Sequence, residues 1–251
     1  MKAVAFCKTC FSESGYPQGK LFLADYYDDG VVNIECPKGH KTAMLMQKQK
    51  FEMLLESGAT ALVNGFTLEA CASFAAALER YYEFINNVIC LKRGMQKETF
   101  RDMMKHMANQ SERQLGAFML LHALEFGVAY NQPQDKISKS LNYVAFRNAV
   151  IHKGKIPTME EATKFATTVY TEVNILHTRI YSECKHHVMS IATEGVIEKK
   201  KLVPDGLKVS TANSIGIFSV TQDNNPLTFE EAFSKFKFAY GKIQYSIGLS
   251  L

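Results

Sequence analysis

Residues 67–92 carry the pattern that most limits how this chain can fold. Leu68, Cys71, Ala75, Leu78, Tyr82, Ile85 and Ile89 follow one another by three or four positions, the spacing of one helix face. Phe74, Tyr81, Phe84, Val88 and Leu91 form a second stripe beside the first. A helix with so wide an apolar face must be covered on two sides, which places it at the centre of a bundle. The predicted fold class is therefore mainly α over residues 43–200. A helix over residues 43–64 is expected to precede the central one, with Met44, Phe51, Leu54, Leu55, Ala61 and Leu62 as its apolar positions. A short helix is expected over 97–106 and another over 111–130, where His122 reads as a core histidine. Pro133 is expected to open the next helix, since proline is tolerated in a first turn. Thr158 and Glu161 form a capping box for a long helix running past His187.

The two ends of the chain look different. Residues 1–42 hold Cys7 and Cys10 as one close pair and Cys36 and His40 as another, with twenty-five residues between Cys10 and Cys36. Leu21, Leu23, Val31, Val32 and Ile34 can form strands around an Asp28-Asp29-Gly30 turn. Thiolates and an imidazole in two pairs, brought together by a hairpin, make a closed tetrahedral zinc site. The module resembles a zinc ribbon, which implies structural zinc as the cofactor. Four protein ligands leave no open position, so no catalytic metal is expected. Residues 201–251 read as a small α+β appendage: a strand at 215–220, a helix from the Thr228–Glu231 capping box to about Tyr240, and a strand over 243–249. The domain boundaries are thus 1–42, 43–200 and 201–251.

Composition excludes some classes. The net charge of +4 permits a nucleic-acid partner without requiring one. No apolar run is long enough to span a membrane, and the first residues are too short an apolar stretch for a secretory signal. The six cysteines do not read as a disulfide scaffold. These points together imply a cytoplasmic protein.

The chemistry sits in the segment from Arg147 to Pro157. Arg147, Asn148 and His152 fall at the end of an expected helix, with Gly154 and Pro157 as stop signals. Arginine holds phosphate oxygens through a planar fork of donors. Histidine can take or return a proton near neutral pH. Lys153 and Lys155 add positive charge as candidate RNA-binding residues. The same residues also fit an ordinary surface arginine and a histidine favoured by a helix C-terminus. Five residues advance a helix by about 500°, so Arg147 and His152 diverge by about 140°. Either the helix ends near Ile151 and frees His152, or two chains pair and share a cleft. Glu79, Arg80 and Glu83 read as solvated charges, or else Glu79 or Arg80 reaches into the cleft and orients the motif.

The Arg147–Asn148–His152 pattern resembles the signature of the HEPN family: an arginine, a polar residue, and a histidine after a four-to-six-residue gap. The resemblance covers roughly residues 43–200. It implies an all-helical, mostly dimeric domain and, for many members, metal-independent RNA cleavage. Arg147, Asn148 and His152 would be the catalytic residues, and RNA and a second copy of the chain the partners. The implied context is a bacterial toxin or phage-defence (antiviral) effector, with an antitoxin or other regulatory protein as a further partner. The competing expectation is a zinc-ribbon and HEPN scaffold that binds RNA or a protein without cutting.

Overall fold

The computed structural model describes residues 2–14, 21–107, 110–213, 215–222 and 227–246. The chain begins with β1 (Lys2–Phe6), α1 (Lys8–Ser14), β2 (Leu21–Asp25), β3 (Val31–Glu35) and β4 (Lys41–Met46). The body is α2 (Lys50–Val63), α3 (Thr67–Lys92), α4 (Lys97–Met107), α5 (Ser111–Phe126), α6 (Tyr143–Lys153) and α7 (Met159–Lys200). The described chain closes with β5 (Lys208–Ala212) and α8 (Phe229–Ser246). The molecule is mainly helical, as its stripes predict, and no described helix is long and apolar enough to cross a membrane.

The central position expected of α3 is observed: it touches α2, α4, α5, α6 and α7. Phe74, Tyr81, Val88 and Ala77 have no exposed surface at all. Fully burying a large apolar side chain of this kind contributes roughly 1.5–3 kcal/mol, so the helix's two stripes hold the bundle together. Aromatic contacts knit the layers. Tyr82 stacks on Phe118 of α5 at 4.5 Å, and Phe51 of α2 lies 4.7 Å from Tyr81.

The N-terminal strands do not pair as a simple hairpin between β2 and β3. β1 pairs antiparallel with β2, and β3 pairs antiparallel with β4. β4 also pairs parallel with β5, from Thr42 beside Lys208 to Met46 beside Ala212. The expected helix over 43–64 therefore starts late, and the expected boundary at residue 42 falls inside β4. Ala43 to Met46 are buried on both faces of the strand, and such a continuous apolar run carries no period that tells strand from helix. The helix start lies at Gln49, whose N–H donates to Glu52 Oε2 at 2.7 Å.

The other departures follow from local hydrogen bonds. Pro133 opens no helix, because Ser138 Oγ instead accepts from the Leu141 N–H at 3.2 Å and makes a turn. Helix α6 begins at its N-cap Asn142, whose Oδ1 accepts from the Ala145 N–H at 3.0 Å. Residues 215–220 form no strand; Ile217 and Val220 pack into the helical core from an irregular segment. α8 continues through Gly241 to Ser246, so residues 243–246 of the expected last strand are helical, and 247–249 lie outside the described residues. α7 does run past His187, across a kink at Cys184.

Close packing gives a test of this arrangement. A Cβ on Gly58 in α2 would lie 2.7 Å from the buried Phe74 ring, whereas one on Gly195 in α7 would meet only Gln49 Nε2 at 3.6 Å. Gly58→Ala should lower stability by about 1–3 kcal/mol despite its better helix propensity. Gly195→Ala should raise it by about 0.5–1 kcal/mol. Urea unfolding of both variants, followed by circular dichroism, checks the opposite signs.

Candidate functional site

The arginine of the motif is built into the bundle. Tyr143, Phe146 and Val150 are the buried residues of α6, and they turn Arg147 and Asn148 toward α3 and α5. Thr67 Oγ1 donates to the Pro157 carbonyl at 2.8 Å, tying the start of α3 to the segment after α6. Arg147 Nη2 donates to Glu79 Oε1 of α3 in a very short contact, and Nη1 donates to Asn148 Oδ1 at 3.0 Å. Ser111 Oγ at the start of α5 lies 3.5 Å from Nη2. Of the two candidates on α3, Glu79 is the one that reaches the motif. Arg80 instead pairs with Glu83 at 2.6 Å and donates to Gln114 Oε1 at 2.5 Å.

These groups face a cavity of about 240 Å³ between α3, α5 and α6. Glu79, Tyr82, Ser111, Glu112, Gln114, Gln132, Tyr143, Arg147 and Asn148 contribute its polar groups. Burial pushes the Tyr82 and Tyr143 phenols above their ordinary values, so both stay neutral donors. Behind them, the Tyr82 and Tyr130 hydroxyls lie 2.7 Å apart. Tyr130 in turn bonds Glu172, whose carboxyl is raised by burial. The fixed charges at the cavity are thus Arg147, Glu79 and Glu112. Tyr143 and Val144 are lining residues that spacing could have found, since they lie one turn before Arg147. Ser111, Gln114 and Gln132 come from distant chain segments with no shared pattern.

His152 lies elsewhere. α6 stays helical through Lys153 and ends at Gly154, with φ 68°. The Lys155 N–H then closes on the Ala149 carbonyl at 3.0 Å. The helix thus does not end at Ile151 to free the histidine. His152 is exposed in the last turn and does not line the cavity. Lys153 is exposed beside it. Lys155 is committed to structure: its Nζ lies 3.0 Å from both Glu161 oxygens and 5.5 Å from the Phe146 ring centre.

The second cluster is the one foreseen at the N-terminus. Cys7 follows β1 directly, Cys10 sits in the first turn of α1, and Cys36 and His40 flank the turn between β3 and β4. The Cys36 N–H bonds the His40 carbonyl at 3.1 Å, and the Gly39 N–H bonds the Cys36 carbonyl at 2.7 Å. Gly39 takes a φ of 78°, which a side chain would strain. All four ligand atoms lie within 4.8 Å of one another. Cys10 Sγ is 3.6 Å from Cys36 Sγ and 3.4 Å from His40 Nδ1. A tetrahedral ion with metal–sulfur bonds of about 2.3 Å needs sulfurs about 3.8 Å apart, so the four donors can hold one metal ion. His40 approaches the sulfurs through Nδ1, and its Nε2 lies 3.8 Å from Glu13 Oε1.

Comparison with family models, curated proteins and solved structures finds no match to this chain.

The cysteine cluster makes a direct expectation. Elemental analysis of the purified protein should find about one divalent transition-metal ion per chain, and Cys36→Ser should remove most of it. The module's core of Val32, Ile34, Met44 and Met46 is shared with Met53 of α2. Hydrogen exchange in Cys36→Ser should therefore rise in β1 and α1 while α3 stays protected. A metal-free wild-type protein, or full metal content in Cys36→Ser, would refute the site.

Proposed function

We propose that the chain is a metal-independent endoribonuclease of HEPN type whose N-terminal Cys7–Cys10–Cys36–His40 module is a zinc ribbon holding structural zinc. The observation that carries this reading is the fixing of Arg147. A carboxylate on α3 and the neighbouring amide of Asn148 hold its guanidinium in the wall of the cavity. Glu79 and Ser111 accept from Nη2 and Asn148 takes one hydrogen of Nη1, so the other Nη1 hydrogen and the Nε–H are the donors for phosphate oxygens. Arg147 then binds the scissile phosphate and stabilises the charge that develops on it. Asn148 orients the arginine. The substrate supplies its own nucleophile: the ribose 2′-oxygen attacks phosphorus while the bond to the 5′-oxygen breaks, giving a cyclic phosphate and a free 5′-hydroxyl. His152 takes the 2′-proton or returns one to the leaving oxygen. Since His152 and Arg147 diverge on one helix, the reading requires a second copy of the chain, and a dimer belongs to it. A toxin or phage-defence role, held in check by an antitoxin or regulatory protein, is the matching context.

The exposed position of His152, outside the cavity, favours a second reading. In it the chain binds RNA or a protein partner through the same surface without cutting.

Cleavage assays separate the two. The wild type should cut single-stranded RNA in the presence of chelator and leave DNA intact, because DNA lacks the 2′-hydroxyl. His152→Ala should slow cutting by about 10²–10⁴-fold, with RNA binding and folding unchanged. Arg147→Ala should weaken both binding and cutting. It should also lower the melting temperature, because Glu79 is left half-buried without its cation. Cutting that survives His152→Ala, or that extends to DNA, overturns the mechanism. Tight RNA binding with no cutting selects the second reading.

A further inference from the structure

Helix α8 carries its acids and its bases at opposite ends. Glu230 and Glu231 stand in its first turn, and Glu231 is taken up by the cap, accepting from the Thr228 N–H at 2.9 Å. From Ala232 to Ser246 there is no carboxylate, and there are three lysines, Lys235, Lys237 and Lys242. All three are exposed, and none forms an ion pair among the described residues. Two aromatic rings stand out of the same surface: Phe238 is 66% and Tyr245 88% exposed. Lys242 Nζ lies 4.3 Å from the Phe238 ring centre. Lys235, Phe238, Lys242 and Tyr245 follow one another by three or four positions, so they share an arc of about 80° on one helix face. The opposite face, with Phe229, Ala232, Phe236 and Ile243, is buried, and α2 and α7 pack against the helix.

We infer that this outer face of α8 binds single-stranded nucleic acid, with bases stacked on Phe238 and Tyr245 and phosphates lying on the lysines. Every base has a flat π-face that an exposed ring can cover, and lysines beside the rings neutralise the backbone. The alternation of cation and ring along α8 matches a strand that alternates phosphate and base. The two rings are about 10.5 Å apart along the helix, too far to clasp one base between them. Each therefore carries its own base, and Lys242 stands between them where the connecting phosphates pass. At its amino end the stripe reaches a cavity of about 600 Å³ that Lys48, Asn213, Ser219, Gln222 and Lys235 help to line, with no carboxylate. Lys48 is spent on Glu56, so Lys235 is the cavity's unpaired cation, near side-chain amides suited to the edge of an unstacked base. A duplex fits this face poorly, because its bases already cover one another. A membrane surface fits poorly too: an interfacial helix sinks its apolar face into lipid, and α8 has committed that face to the protein core.

The inference goes beyond the ribonuclease reading and does not rest on it, since neither Arg147 nor His152 belongs to this surface. The probe is a fluorescein-labelled dodecamer of deoxythymidine. Stacking and phosphate contacts need no 2′-hydroxyl, and the proposed chemistry leaves DNA intact, so the presence or absence of RNA cutting leaves the result untouched. Anisotropy of the probe, titrated with the full chain, should show binding. Phe238→Ala and Tyr245→Ala should each weaken it by roughly 5- to 100-fold, with unchanged circular dichroism because both side chains are exposed. Phe238→Trp should keep the affinity and Phe238→Leu should lose it, which separates stacking from general apolar contact. Lys235→Ser and Lys242→Ser should each make the slope of log affinity against log salt shallower by about 0.7. Absence of binding, or equal affinity in the wild type and the Phe238→Ala, Tyr245→Ala double variant, would overturn the inference. So would rings that hold vesicles of mixed phosphatidylcholine and phosphatidylserine while making no difference to the oligonucleotide.

Discussion

The burial of α3 on both sides governs the rest of the molecule. Its neighbours are fixed by the stripe each of them covers: α2 by Phe74 and Tyr81, α5 by Tyr82. A carboxylate on such a helix has few places to go. Glu79 lies between two core positions, Leu78 and Tyr82, and it emerges where α5 and α6 leave a gap. A charge set against so much apolar surface is costly unless it is paired. Arg147 is the cation that meets it. The central packing interaction thus fixes the arginine as firmly as the arginine's own helix does.

The same logic joins the ends of the chain to the middle. β4 lies between β3 and β5, so the first and last parts of the sequence share one sheet. Behind that sheet a group of charges is held out of water. Lys48 pairs with Glu56 at 3.2 Å with both side chains buried. Lys199, near the end of α7, donates to the Met46 and Lys48 carbonyls at 2.6 and 3.1 Å. Burial lowers the Lys199 ammonium and raises the Glu52 carboxyl, which nonetheless accepts from the Val220 N–H at 3.0 Å. Buried ions of this kind add little net stability over apolar packing, but each is expensive to leave unpaired. They therefore discriminate between arrangements, and this set holds the end of α7, the β4–α2 junction and the Val220 segment in one register.

How much of this the sequence reveals depends on whether the deciding interaction is local. The stripes of α3 and the Thr158 and Thr228 caps are local, and the structure has them where the spacing puts them. The cysteine and histidine pairs are local in their halves, and only one closure was needed to join them. β4 was hidden because Ala43–Met46 is buried on both faces, which removes the alternation that marks a strand. β5 was hidden for the opposite reason. Lys208–Ala212 is short and polar, and it is a strand because β4 offers it an edge. Glu79 was legible only as a charge interrupting an apolar stripe. Its partner is a tertiary matter, as are Ser111 and Gln132.

The pairing of Arg147 with Glu79 also decides what kind of anion site this can be. A carboxylate beside a guanidinium cancels much of its long-range attraction, so the site gains little by steering phosphate from a distance. What it gains is direction. A free arginine loses rotamer freedom when it binds, whereas one already held by Glu79 and Asn148 has lost it in folding. Its remaining donors then bind at little further ordering cost. Lys155 shows the contrast within the same segment: its charge is taken up by Glu161 and the Phe146 ring, and two of its three N–H groups are spent on the carboxylate. Of the cations near the end of α6, the one with an oriented fork is the one that faces a cavity, and this asymmetry sets Arg147 apart from the lysines around it.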